Sequence, residues 1–193
     1  LKYNLSKENI EERFKKIIRY SEPDKKQKTI FIWPEGVFSG YSYNDVKPFK
    51  NLILKNFSKK HKIIFGTNRM DEVSEKFYNS MIIVNNNFDI INSYNKRKLV
   101  PFGEFLPLET SLKSLGMKTI TNFYNSYSAG EKRDIINLQK HDFDISFLPL
   151  ICYEIIYSGK LSKKYNYDLI INISEDGWFG KSIGPHQHFS HSI

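Results

Sequence analysis

With 193 residues, a formal net charge of +8 and a single cysteine, the chain suits one domain with a core of real size and excludes an intramolecular disulfide, so packing must hold the fold. The lysines are spread among acids in most segments, and no RNA-binding signature, helix-turn-helix pattern or paired Cys/His zinc spacing goes with them. The charge therefore speaks for a solvated surface or attraction to anionic lipid headgroups rather than for nucleic acid, and no apolar run has the length of a membrane span.

Ser6 is placed to cap a helix whose Ile10, Phe14, Ile17 and Ile18 share one face. Glu8, Glu11 and Glu12 come early and Lys15, Lys16 and Arg19 late, as the helix dipole favours, and Pro23 ends it in a lysine-rich turn. Thr29 to Trp33 reads as a buried strand, broken by Pro34 directly before Glu35. A second amphipathic helix is predicted near Pro48 to Phe57, with Leu52, Ile53 and Phe57 inward, followed by a strand from Lys62 to Gly66. Phe77 to Val84 and Phe88 to Tyr94 read as a hairpin joined through Asn85-Asn86-Asn87, residues that tolerate the left-handed backbone of a tight turn.

Leu106 to Asn125 has weak periodicity and reads as a long excursion, with a short helix at most. An apolar strand then runs to Cys152, Ile155 to Tyr165 reads as a helix, Tyr167 to Ile173 as a strand, and Glu175-Asp-Gly-Trp-Phe-Gly180 as a turn-rich loop. Strands alternating with helices argue α/β. The chain opens on a helix with no leading strand and closes at His188-Phe-Ser-His-Ser-Ile193 where a new segment begins, so it is expected to be incomplete at both ends.

Three strand-like runs stop at reactive side chains. Ile30-Phe-Ile-Trp-Pro-Glu35 ends at a carboxylate, Ile90-Ile-Asn-Ser-Tyr-Asn-Lys96 at an ammonium, and Phe147-Leu-Pro-Leu-Ile-Cys-Tyr-Glu154 carries the lone thiol, Cys152. A thiol is a poor nucleophile until it loses its proton, and apolar burial makes that loss harder. A carboxylate in reach can take the proton as general base, while an ammonium stabilises the thiolate and the oxyanion of a tetrahedral intermediate. The trio is the material of covalent acyl transfer. Each member also has a plainer reading by residue type: Cys152 as a small packed hydrophobe, Glu35 as a helix N-terminal acid after Pro34, Lys96 as part of a solvated run with Arg97 and Lys98. Of the histidines, His61, His141, His186, His188 and His191, only the last three lie near a catalytic-looking turn, so no Cys/His pairing competes well.

The words around these residues are more specific. Trp33-Pro-Glu35, Tyr94-Asn-Lys-Arg-Lys-Leu-Val-Pro-Phe-Gly-Glu-Phe-Leu-Pro107 and Ile151-Cys-Tyr-Glu154, in that order, resemble the carbon-nitrogen hydrolase (nitrilase) superfamily, whose triad is Glu-Lys-Cys. Within it, Leu99-Val-Pro-Phe-Gly-Glu104, Cys152-Tyr-Glu154 and the tail from Trp178-Phe-Gly180 to Gly184-Pro-His-Gln-His188 look like the bacterial apolipoprotein N-acyltransferase family.

That resemblance implies an α/β fold of the nitrilase-like α-β-β-α sandwich type across residues 1–193, a partial carbon-nitrogen hydrolase domain without its transmembrane domain. By position, Glu35 matches the general base, Lys96 the oxyanion-stabilising lysine and Cys152 the nucleophile; Glu104 matches a further essential glutamate, and Tyr153 and Glu154 the pair after the cysteine. The implied reaction needs no cofactor or metal. The cysteine takes the sn-1 acyl chain of a phospholipid as a thioester, and the α-amino group of a diacylglyceryl-cysteine on an apolipoprotein then takes it. The implied partners are a phospholipid donor, an apolipoprotein acceptor and the membrane, not nucleic acid, with the catalytic domain on the periplasmic face of a bacterial inner membrane.

Phe102, Phe105, Leu106, Pro107 and Leu108 follow the lysine and suit either a lipid tail or the core; Trp178 and Phe179 are further loop candidates for the substrate. Family members carry transmembrane helices and a strand ahead of the first helix, and a long helix and further strands after the tail. Their tail loop usually has an asparagine-aspartate pair where this chain has Ser174-Glu175-Asp176-Gly177. Two alternatives accompany the transferase reading: a soluble amidase of the same superfamily, which the Leu99 to Glu104 stretch speaks against, and an inactive fragment of a split gene, which the missing flanks motivate.

Overall fold

The computed structural model describes residues 9–105, 107–108, 126–160, 166–177 and 182–190. Its first helix, α1 (Ile10–Ser21), is capped by Asn9 rather than Ser6: the Asn9 side chain accepts the Glu12 amide at 2.9 Å. Asparagine caps as well as serine, and Asn9 stands directly before the apolar stripe, so it wins the position; Ser6 itself lies outside the described residues. Phe14 and Ile18 form the buried stripe, and Glu22, in a left-handed conformation, closes the helix by donating its amide to the Ile18 carbonyl before Pro23.

Strands β1 (Thr29–Ile32), β2 (His61–Met70), β3 (Phe77–Val84) and β4 (Ile90–Asn95) form one sheet in that order, with β1 parallel to β2 and the other pairs antiparallel. The edge position of β1 corrects the expectation of a buried strand. Its residues are half-buried, Ile32 is exposed, and only Trp33 beyond it is fully covered, with its indole N–H donated to Ser21 Oγ. Between β1 and β2 the second amphipathic segment is broken into α2 (Tyr43–Val46), a 3-10 turn at Lys47–Phe49 and α3 (Lys50–Asn56), since Pro48 sits inside it. Ile53 and Phe57 are buried as expected, whereas Leu52 is half-buried. β2 runs four residues past the expected Gly66 because Thr67–Met70 pair with Phe77–Ser80.

A second sheet holds β5 (Ile136–Asn137), β6 (Ser146–Ile151) and β7 (Leu169–Ile173), with β5 antiparallel and β7 parallel to the central β6. The helix expected from Ile155 begins earlier and as a 3-10 helix, Cys152–Lys160, packed on β6 and β7; 161–165 lie outside the described residues, and so does the excursion from Leu106 to Asn125 apart from Pro107 and Leu108. The last strand starts at Leu169 rather than Tyr167. A short helix, α4 (Gly184–Ser190), follows the tail loop.

Strand alternation divides the core into two layers. Ile63 and Phe65 of β2 and Ile82 and Val84 of β3 face α1 and α3, packing with Phe14, Ile18, Ile53 and Phe57. Ile64, Met81 and Ile83 point the other way, onto Ile136, Phe147, Ile151, Ile171 and Ile173 of the second sheet. Both faces of β2 and β3 are covered, which explains their nearly continuous apolar runs. The result is a helix layer, a sheet and a second sheet in succession.

The β3–β4 turn differs from expectation in its chemistry. Asn85 Oδ1 accepts the amides of Asn87 and Asp89, yet the left-handed residue is Phe88, at φ 64°. An aromatic residue there costs about 1–2 kcal/mol of backbone strain. Its ring is fully buried, stacked on Phe65 at 5.7 Å and edge-on to Phe14, and that packing offsets the strain. Phe88→Ala is expected to lose about 3–5 kcal/mol in urea denaturation. Phe88→Gly, freed of the left-handed penalty, is expected to lose about 1 kcal/mol less; an equal loss for the two would show that the backbone is not strained.

Candidate active site

Glu35 follows β1 in the turn that Pro34 starts, not at a helix N-terminus. Gly66 permits its place: a Cβ at Gly66 would collide with the Glu35 Cα and carbonyl oxygen. Lys96 is the first residue past β4, its amide donating to the Asn79 carbonyl at 2.9 Å and its carbonyl accepting the Gly130 amide at 2.8 Å. A side chain at Gly130 would strike the Asn95 carbonyl, so this approach too needs glycine. Cys152 is the first residue past β6 and has φ 50°, a left-handed turn that swings the chain from strand to 3-10 helix. Such strain at a non-glycine residue is characteristic of functional positions.

Lys96 is 1% exposed, which overturns its reading as part of a solvated run, although Arg97 and Lys98 are exposed. Its Nζ lies 3.0 Å from Glu104 Oε1 and 3.7 Å from Glu35 Oε1. Asn79 Nδ2 stands between the same two carboxylates, donating to Glu35 Oε1 at 2.7 Å and Glu104 Oε1 at 2.8 Å. Glu104 is tied into its own loop, with Oε2 accepting the Val100 amide at 2.9 Å and its amide donating to the Val100 carbonyl. The other oxygen of Glu35, Oε2, accepts the Glu175 amide from the loop after β7 at 3.1 Å. The loop in which Ser174-Glu175-Asp176-Gly177 stand in place of the expected asparagine-aspartate pair thus makes a backbone contact to the carboxylate.

Burial raises the Glu35 carboxyl above its ordinary value, against the pull of the Lys96 ammonium and the Asn79 amide. Burial alone would strip Lys96 of its proton, but the carboxylates of Glu35 and Glu104 outweigh it and hold the ammonium firmly charged. The Cys152 thiol is pushed up to about 12, first by burial and then by the Glu35 carboxylate, with Lys96 as the counterweight. The group therefore holds a thiol that keeps its proton at neutral pH, a carboxyl raised above its ordinary value and so strengthened as a base, and a fixed positive charge. Such a set can deprotonate a thiol as it attacks and stabilise the oxyanion that results.

Glu154 is not part of that charge cluster. Fully buried, it accepts from Tyr94 OH, the amides of Arg97, Lys98 and Ile151, and Arg133 Nη2. Tyr153 is exposed and edge-on to Tyr157. Phe102 is 46% exposed and Leu108 is 81% exposed, which removes both from the core, whereas Phe105 is half-buried; Leu106, Trp178 and Phe179 lie outside the described residues. His61 is a packed residue whose ring nitrogens meet the Ser58 amide and the Asp24 carbonyl, far in sequence from the cluster.

Sequence reasoning missed Asn79, Arg133 and Tyr127. Asn79 had a signal: with Ser80 it makes a polar pair ahead of the apolar Met81-Ile-Ile-Val84 in a strand that is otherwise hydrophobic or aromatic. Tyr127 donates to Asn68 Oδ1, and burial beside Glu104 and Glu35 pushes its phenol upward. Neither Tyr127 nor Arg133 sits in a local pattern that would have singled it out.

A sequence profile of the carbon-nitrogen hydrolases matches residues 2–192. The chain belongs to the carbon-nitrogen hydrolase family. Among curated proteins, it is 31% identical over 169 residues to an apolipoprotein N-acyltransferase of Rhizobium rhizogenes and 36% identical over 171 residues to one of Wigglesworthia glossinidia brevipalpis. These matches cover 85% and 83% of the chain but 31% and 32% of the relatives, so the chain spans about a third of their length. Among solved structures, it matches a glutamine-dependent NAD+ synthetase of Acinetobacter baumannii with a TM-score of 0.61 at 19% identity, covering 94% of this chain and 32% of that one. A nitrilase-superfamily member of Saccharomyces cerevisiae matches with a TM-score of 0.52 at 21% identity, over 86% of this chain and 58% of the other. The α/β, nitrilase-like fold is common to them.

Two outcomes check the site. Because the thiol is held up to about 12, alkylation of Cys152 by iodoacetamide is expected to climb between pH 7 and pH 9 without a plateau, by about tenfold per unit as the thiolate fraction grows. Lys96→Met, which removes the charge that lowers the thiol, slows alkylation at every pH in that range; a plateau below pH 9 would contradict the assigned electrostatics. Gly66→Ala is expected to displace Glu35 and lower stability by about 1–3 kcal/mol in urea titration, the usual cost of overpacking.

Proposed function

We propose that this chain is the catalytic part of an apolipoprotein N-acyltransferase, with Cys152 as nucleophile, Glu35 as general base and Lys96 as oxyanion stabiliser. The observation that carries the reading is the identity of 31–36% to proteins of that name across more than four fifths of the chain. The charge cluster of Glu35, Lys96 and Glu104 supports the roles.

In the first half-reaction the Cys152 sulfur attacks the sn-1 ester carbonyl of a phospholipid while its proton passes to Glu35. Lys96 stabilises the tetrahedral oxyanion. Collapse breaks the ester C–O bond, Glu35 returns the proton to the departing oxygen, and lysophospholipid leaves behind a thioester on Cys152. In the second half-reaction the α-amino group of a diacylglyceryl-cysteine attacks that thioester, Glu35 takes the amine proton, and the thiol is restored as the C–S bond breaks. A carboxyl raised above its ordinary value is a stronger base for taking the proton of the thiol or the amine. Glu104 and Asn79 keep Lys96 and Glu35 aligned.

An amine outcompetes water for the thioester only where water is kept out. The exposed apolar side chains Phe102 and Leu108 beside the Glu104 loop supply lipid-compatible surface, and the net charge of +8 favours an anionic bilayer. Among the described residues no helix is long and apolar enough to cross a membrane. The reading accordingly assigns this part to the membrane surface, at the periplasmic face of the bacterial inner membrane, with phospholipid and apolipoprotein as substrates.

Incubation with phospholipid vesicles is expected to add the mass of one acyl chain to Cys152, removable by hydroxylamine, absent in Cys152→Ala, and discharged by a diacylglyceryl-cysteine peptide. Ammonia release from small carboxamides with no acyl adduct would replace the transferase reading by an amidase one. Glu104→Gln is expected to fold with reduced stability and to lower adduct formation by about 100-fold, as for other groups that position a charge in the transition state. A wild-type rate in that variant would remove Glu104 from the machinery.

A further inference from the structure

We infer that Arg133 is a positioning residue, which holds Lys96 and Cys152 in register through the buried carboxylate of Glu154. The inference rests on the reading of Cys152 as the nucleophile and adds a residue that no local motif marks.

Glu154 Oε1 accepts the amides of Arg97 and Lys98, the two residues after Lys96, each at 3.1 Å. Its Oε2 accepts the amide of Ile151, the residue before Cys152, at 3.0 Å. One carboxylate thus clamps the end of β4 to the end of β6, the two strand ends that present the ammonium and the thiol. A carboxylate suits the clamp because both of its oxygens are acceptors and meet the three N–H groups.

Ionisation at a fully buried position needs a compensating charge. Among the described residues, two titratable side chains donate to Glu154. Tyr94 donates its phenol to both oxygens, at 2.7 and 2.9 Å, but brings no charge: burial, the Glu154 carboxylate and the hydrogen bond to it push the phenol upward, so it stays protonated. Arg133 supplies the charge. Its Nη2 donates to Glu154 Oε1 at 2.6 Å, its Nε donates to Tyr94 OH at 3.1 Å, and its guanidinium lies 5.6 Å from the centre of the Tyr94 ring. The side chain is 12% exposed against 0% for Glu154, so the pair is screened little by solvent. Arginine suits the place because its planar fork reaches both acceptors at once, which a single ammonium cannot do.

Among the described residues, the charged groups that act on Cys152 itself are Glu35, Lys96 and Glu104. Loss of the clamp withdraws Lys96, the one that lowers the thiol, and so slows thiol chemistry. Loosening of a purely structural contact would instead expose the buried thiol and speed it. The test is the rate of Cys152 alkylation by iodoacetamide at pH 8, below the melting temperature of each variant. Arg133→Met is expected to react about tenfold more slowly than wild type, the effect of one unit on the thiol. Arg133→Lys, which keeps the charge and loses the fork, is expected to fall between the two. In a Glu154→Gln background, Arg133→Met is expected to change the rate less than twofold, since Arg133 acts through Glu154.

An unchanged or faster rate in Arg133→Met would overturn the inference, as would a full additional loss in the Glu154→Gln background. Should Arg133→Met fail to fold, Arg133→Lys decides: a slower rate than wild type supports the inference and an equal or faster one overturns it. The alkylation readout needs no substrate, so its failure is separable from a failure of acyl transfer in the wild-type chain.

Discussion

The buried ammonium of Lys96 orders the candidate site. Lys96 sits almost without solvent, and an isolated charge there would be prohibitively costly or simply discharged. Two carboxylates hold it charged, and they come from different places: Glu35 from the turn after β1, Glu104 from the loop after β4. Asn79, from the middle of β3, gives one N–H to each carboxylate and so keeps two like charges beside one another. Removing one partner from such a buried set costs about 3–5 kcal/mol, so the cluster constrains the fold as much as the fold constrains it.

The sandwich supplies that constraint at low conformational cost. β2 and β3 are covered on both faces, by aromatic and aliphatic side chains of the helices on one side and by the second sheet on the other. Strand ends fixed in this way can hold side chains in common register without long anchoring loops. The chain departs from relaxed geometry at Cys152, in the left-handed region, and comes into close backbone approach at Gly66 beside Glu35. Cys152 directly follows β6 and Gly66 lies within β2 against the turn that carries Glu35, so both departures adjoin the candidate site, and the packed core beneath them tolerates the cost.

The electrostatics favour a thiol that ionises only as it reacts. A preformed thiolate would add a negative charge to a group that already holds two carboxylates against one ammonium. Passing the proton to Glu35 removes one negative charge as another appears on sulfur, and the raised Glu35 carboxyl makes that exchange more nearly balanced. Glu154 stands outside this exchange. It has its own cation, Arg133, and its role is to bind backbone rather than to move protons.

Much of the fold was legible in local pattern. The β3 limits, the strand into Cys152 and the inward face of α1 follow from apolar runs and periodicity, which depend on nearest neighbours. Where two residues of equal local merit compete, as Ser6 and Asn9 do for the cap of α1, or where packing outweighs turn preference, as at Phe88, pattern alone decides wrongly or not at all. The strand-end residues Glu35, Lys96 and Cys152, and the word that contains Glu104, were singled out in the sequence because covalent acyl transfer would call for those side-chain types and because the words around them are distinctive. By itself, the sequence determined which groups are present and that each follows a strand. Only the tertiary structure decided that Asn79 stands between the two carboxylates, that Lys96 is buried while its neighbours are not, and that Arg133 meets Glu154. The physical reason is that the pairings of Asn79 and Arg133 join residues 21 to 44 apart, where register and burial are fixed by sheet packing rather than by any local property of the chain.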